Sequence, residues 1–142
     1  MIAVSINSRL QHNKAIQTYA RMLAQFLDRD ELTGWLGRNS SFERNKQAIK
    51  SGVFKMHVRL LHEKPWSSHT RQPNRVCDNY LVYAQHWDIR NYYQVVALIS
   101  PEAHKTVDKF LPAIIDIVES EFQVLNEQEL KALLHVTAEF AT

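Results

Sequence analysis

Lys55, His57 and Arg59 stand at alternate positions, which puts an imidazole between two cations on one side of an extended segment. Histidine ordinarily titrates near neutrality, so it can accept or return a proton at modest cost. Arginine offers phosphate oxygens a planar fork of donors, and lysine offers a compact charge. The set therefore suits proton transfer at a phosphate ester, with His57 carrying the proton. Two neighbouring cations would also depress its pKa and favour the neutral ring. The same alternation describes an ordinary solvated sheet face, and spacing alone leaves both readings open. His104-Lys105 follows a strand pattern and opens a helix, where unpaired backbone N–H groups attract anions. A plain helix-surface histidine is the alternative there. Arg71 and Arg75 fall in a proline-containing loop, as backbone clamps or as common surface charges. Tyr83 can orient a hydroxyl or stack on a base, although a strand tyrosine more often belongs to a core.

The charge distribution suggests a polyanion partner, although charge alone favours a solvated surface balanced by the acidic C-terminal third. Residues 38–75 hold nine basic and two acidic side chains, whereas residues 101–142 hold three basic and eight acidic ones. The net charge of +2 conceals this segregation, which creates a local positive potential. At 142 residues, 45% apolar and 23% charged, the chain fits one globular domain. The longest apolar run, Val95–Ile99, is far short of a membrane span, and Ser5, Asn7 and Arg9 interrupt the N-terminal apolar stretch. Cys77 is the sole cysteine, and His57, His62 and His69 lack zinc-ligand spacing. A cytoplasmic protein with no membrane segment, disulfide, cofactor or metal is expected.

The elements that must position these residues read as follows. Ile2, Val4 and Ile6 alternate as a short strand, and Ile16, Tyr19, Ala20, Leu23, Phe26 and Leu27 mark a helix over residues 9–28. Asp30 is expected to cap a second short helix around Leu32, Trp35 and Leu36, closed by Gly37. Residues 38–51 are polar and partly helical. Residues 53–60, 80–84 and 92–99 read as strands, with a long loop over 62–77 and a hairpin near Asp88–Asn91. Ser100 is expected to cap a helix with Pro101 at its first position, running through Phe110, Ile114, Val118 and Phe122. A last helix passes through Leu130, Leu133, Leu134 and Val136. The result is an α+β domain: an antiparallel sheet of about four strands, N-terminal helices packed on it and further helices at the C-terminus. A core over about 1–123 precedes an acidic extension over about 124–142.

Leu36-Gly37-Arg38, His57-Val58-Arg59-Leu60, Pro65-Trp66, Arg71-Gln72, Arg75, Leu81-Val82-Tyr83 and Ala97 through Lys105 resemble, in that order, the YafO family of toxins. These are the toxin halves of bacterial type II toxin–antitoxin pairs, and the resemblance spans roughly residues 30–123. The strand order also resembles the RelE-like toxin fold. The resemblance implies a ribosome-dependent mRNA interferase that cuts translated mRNA without a metal and is neutralised by an antitoxin laid on its basic face. Within it, His57 and His104 are the expected proton carriers, with Arg59 and Tyr83 completing the catalytic set. Arg38, Lys55, Arg71, Arg75 and Lys105 are the expected RNA or phosphate contacts. At Gln123 this chain departs from the resemblance, which places a cation there. A translation inhibitor that binds the ribosome without cutting, or a protein-interaction module built on the acidic extension, would use the same residues differently.

Overall fold

The computed structural model describes residues 1–136. Its elements are β1 (Ala3–Ile6), α1 (Lys14–Arg29), β2 (Leu36–Ser41), α2 (Lys46–Lys50), β3 (Val53–Val58), a 3-10 turn (Gln72–Asn74), β4 (Tyr80–Gln85), β5 (Tyr92–Ile99), α3 (Ala103–Val118), a π-helical turn that continues it (Glu119–Gln123), α4 (Glu127–Ala132) and β6 (His135–Val136). The strands form one sheet in the order β2-β3-β4-β5-β1-β6. Period-two alternation gives that sheet two apolar faces. Val53, Tyr80, Val82, Val96 and Ile99 pack with Ala103, Val107, Leu111, Ile114 and Val118 of α3. Met56, Val58, Leu81, Tyr83 and Val95 pack on the other side with Ile16, Tyr19, Ala20 and Leu23 of α1. Leu23, Met56 and Leu81 are fully buried, each worth roughly 1.5–3 kcal/mol relative to exposure.

The α+β class holds, but the sheet is larger than expected and mixed. β1 runs parallel to β5, pairing Ala3 with Tyr92 and Ile6 with Val95, and two further strands occupy the edges. Both edge strands lacked a sequence signal. β2 reads Leu-Gly-Arg-Asn-Ser-Ser, poor in β-branched residues, and β6 has two residues.

The helix expected around Leu32–Leu36 does not form. Asp30 ends α1 in the left-handed conformation (φ 56°) and its N–H reaches the Phe26 carbonyl, so it is a C-cap and not an N-cap. Leu36 instead pairs with Val58, and a bulge spans Gly37 and Arg38. Gly37 is required by crowding: a Cβ there would sit 2.5 Å from the Arg75 carbonyl oxygen. It marks a close backbone approach, where the sequence suggested a helix stop.

The start of α3 also differs. The Ser100–Pro101 bond is cis, Glu102 is the cap residue, and the helix begins at Ala103. The Ser100 hydroxyl donates to Asn79 Oδ1. At the C-terminus, α4 opens with a reciprocal Asn126–Glu129 capping box and buries Leu130. It ends at Ala132, short of the expected span, and His135 and Val136 pair antiparallel with Ser5 and Val4. The rest of the acidic extension, residues 137–142, lies outside the described residues. Among the described residues no helix is long and apolar enough to cross a membrane.

Candidate active site

Residues directly opposite one another on paired strands project from the same side of a sheet. His57 pairs with Tyr80 and Lys55 with Val82, so both cationic positions of β3 face α3. There the Tyr80 ring meets His57 edge-on with centroids 5.0 Å apart, and its hydroxyl lies 3.3 Å from Nδ1 of His104. Lys55 Nζ stands over the Tyr80 ring at 5.1 Å and over Phe42 at 5.0 Å. Arg38, one strand outward, is close enough to disfavour charge on both His57 and Lys55. Lys55, His57, Tyr80 and His104 thus share one half-open face, with Arg38 at its β2 edge.

His57 Nδ1 lies 2.7 Å from the Cys77 carbonyl oxygen and 3.0 Å from the Cys77 N–H. One ring nitrogen cannot donate and accept in both contacts. Donation to the carbonyl, the shorter of the two, leaves the lone pair on Nε2. Burial is the main cause that holds the His57 pKa below its ordinary 6.5; the Cys77 carbonyl opposes it, and Lys55 and then Arg38 lower it further. The direction follows the sequence argument but the causes differ. Desolvation leads, and the second cation is Arg38 from the neighbouring strand, where Arg59 was expected. Burial likewise lowers the Lys55 pKa.

Four expectations need correction. Arg59 lies past the end of β3, its backbone N–H donating to the Trp35 carbonyl and its guanidinium stacked 4.8 Å from the Trp66 ring. Tyr83 pairs with Phe54 and so faces α1; it is buried, donates to Asn39 Oδ1 at 2.6 Å, and burial pushes its hydroxyl pKa up. Arg75 is 4% exposed, and its guanidinium donates to the carbonyls of Thr33, Leu36, Ser67 and Thr70. The anion site expected at the start of α3 is already occupied. The Ala103 N–H donates to the Asp78 carbonyl and the His104 N–H to Asp78 Oδ1, while the Lys105 and Thr106 N–H groups reach Glu102. Lys105 and Arg71 are exposed side chains, on α3 and beside the 3-10 turn.

Gln123 explains its own departure. It is buried, accepts from the Trp87 N–H and donates to the carbonyls of Ser51 and Gln85. An amide meets all three partners, which a cation cannot.

The residue that sequence reasoning missed is Tyr80. Its signal was register: once β3 pairs with β4, the tyrosine opposite His57 matters, and Tyr83, at an odd separation from Tyr80, points away.

Fold and site together define a small α+β protein with a basic, histidine-bearing face built on β2, β3, β4 and the start of α3. A model of the family described as Toxin YafO, type II toxin-antitoxin system, matches residues 24–124. The match covers most of the chain and every residue of that face, and the chain belongs to this family. Membership implies a cognate antitoxin as partner. Neither the curated proteins nor the solved structures contain a match.

Proposed function

We propose that this toxin is a ribosome-dependent mRNA interferase whose acid–base pair is His57 and His104. The observation that carries this reading is that both imidazoles contact Tyr80, one through its ring and one through its hydroxyl. His57 serves as base, because burial and cations favour its neutral form and its lone pair lies on Nε2. It takes the proton of the ribose 2′-hydroxyl, whose oxygen attacks the adjacent phosphorus. His104 protonates the departing 5′-oxygen as the imidazolium, giving up the Nε2 proton while its Nδ1–H donates to the Tyr80 hydroxyl, and it is left as a neutral ring. The O2′–P bond forms as the P–O5′ bond breaks, giving a 2′,3′-cyclic phosphate and a 5′-hydroxyl. Lys55 and Arg38 balance the charge of the pentacoordinate phosphorus, and Lys105 and Arg71 contact the flanking backbone. The antitoxin neutralises the toxin by covering this face.

Purified toxin added to a reconstituted translation reaction tests the reading. Cuts confined to the translated frame, ending in cyclic phosphate, are expected. Stalled ribosomes on intact mRNA would support the non-cutting inhibitor instead.

The His57 environment also fixes a pH response. The base must be neutral, so the acid limb of kcat/KM is expected to have its midpoint below 6.5, the ordinary value for histidine. Stability changes in the same window with a sign that follows from linkage. Well above pH 6.5 neither folded nor unfolded His57 binds a proton. Below it the unfolded chain binds more, so stability falls as pH drops through the lowered folded pKa. His135, also lowered by burial, adds to that loss. Urea unfolding at a series of pH values measures it, and stability that rises on acidification from pH 6.5 would contradict it.

A further inference from the structure

We propose that a cleft beside β2 is a nucleobase subsite that favours adenine, deepening the mRNA-cutting reading on which it rests. The cleft holds about 290 Å³ and is lined by Phe26, Arg38, Asn39, Gln72 and Pro73. Phe26 and Pro73 supply flat apolar surfaces of the kind on which an unstacked base rests. Two amides lie in the same lining, and each is fixed from behind. Asn39 Oδ1 accepts from the Tyr83 hydroxyl at 2.6 Å, which leaves its Nδ2 donors. Gln72 Nε2 donates to the Gly37 carbonyl at 3.0 Å, which leaves its Oε1 acceptor. The cleft thus presents one donor and one acceptor whose partners inside the protein hold their orientation.

That pair fits the Hoogsteen edge of adenine: Asn39 Nδ2 donates to N7, and the N6 amino group donates to Gln72 Oε1. Guanine would set its O6 acceptor against the Gln72 acceptor, and a pyrimidine ring reaches across less of the cleft. The cleft opens on the α1 side of the edge strand β2, and His57 lies on the α3 side. RNA that reaches both passes around that edge, where Arg38 lines the cleft and is close enough to His57 to disfavour its charge. The buried Tyr83 gains a role as well. It positions Asn39 and touches no reacting atom.

Sequencing the 5′ ends released from a mixed mRNA pool in a reconstituted translation reaction tests this. Wild-type toxin is expected to cut with an adenine enriched at one fixed position relative to the break. Asn39→Asp keeps the oxygen that Tyr83 needs and replaces the donor with an acceptor. It is expected to lower the adenine enrichment roughly tenfold, the size of one good two-point base contact. Phe26→Leu, which keeps an apolar residue on α1 but removes the ring face, is expected to lower the enrichment with no change of hydrogen bonding. Cuts with no fixed adenine, or an enrichment that survives both substitutions, would overturn the subsite and leave the nuclease reading standing. An absence of cuts by the wild-type protein would overturn the nuclease reading and the subsite with it.

Discussion

Glutamine in place of His57 is expected to lower single-turnover cleavage of ribosome-bound mRNA by about 10²–10⁴-fold, the usual contribution of a positioned proton carrier. Glutamine can still donate to the Cys77 carbonyl that holds the imidazole, so the loop and β3 keep their contact and the fold survives. It has no basic lone pair, so proton transfer stops. On the proposed reading, ribosome binding rests on cations such as Lys55, Arg38 and Lys105 and is expected to stay unchanged, which separates chemistry from docking. His104→Gln should fall in the same range, with the loss in leaving-group departure. The two losses are not additive, because both groups serve one displacement. Cleavage by His57→Gln at the wild-type rate would remove the base assignment. Intact toxicity without cleavage would shift the reading to an inhibitor that merely occupies the ribosome.

The face that supports this prediction was half legible in the sequence. Strict alternation over Val53–Val58 puts His57 and Lys55 on one side from sequence alone, and the β-rich segments at 80–85 and 92–99 lie where their composition puts them. Pairing register was not legible. Which residue of β4 stands opposite His57 depends on a long-range contact, and a shift of one position exchanges the two faces of a strand. Tyr83 and Tyr80 are equivalent by type; only register shows that one faces α1 and the other the histidines. Arg59 failed for a related reason. Alternation continues past Val58 in the sequence, but the strand ends there and Trp66 captures the guanidinium. Local capping rules put the helix start at Pro101, but Asp78, over twenty residues earlier in the chain, supplies the acceptors there. Arg38 became central through a strand whose composition does not announce it.

Arg75 carries the other large expected effect, on stability. In the sequence it is a loop cation like Arg71, and charge counting cannot tell the two apart. The structure buries it to 4% exposure, and four carbonyls from Thr33, Leu36, Ser67 and Thr70 accept from its three nitrogens. Its own carbonyl accepts from the Arg38 N–H, across the gap that Gly37 leaves open. The guanidinium therefore ties the long loop to the edge strand β2 and shields that edge from further pairing. Alanine at this position takes the donor from four carbonyls, that of buried Leu36 among them, and opens a void, at a cost of roughly 3 kcal/mol. For a domain of this size that lowers Tm by about 10 °C. Lysine keeps the charge but not the fork, and is expected to restore less than half of the loss. Arg71→Ala, an exposed change, should stay within about 0.5 kcal/mol. Because the same loop delivers Cys77 to His57 and the same backbone bond places Arg38, Arg75→Ala is also expected to cut more slowly at temperatures where it remains folded. Thermal unfolding and cleavage measured side by side on the three variants decide the matter. Slow cleavage by Arg75→Ala at an unchanged Tm would return this arginine to the RNA.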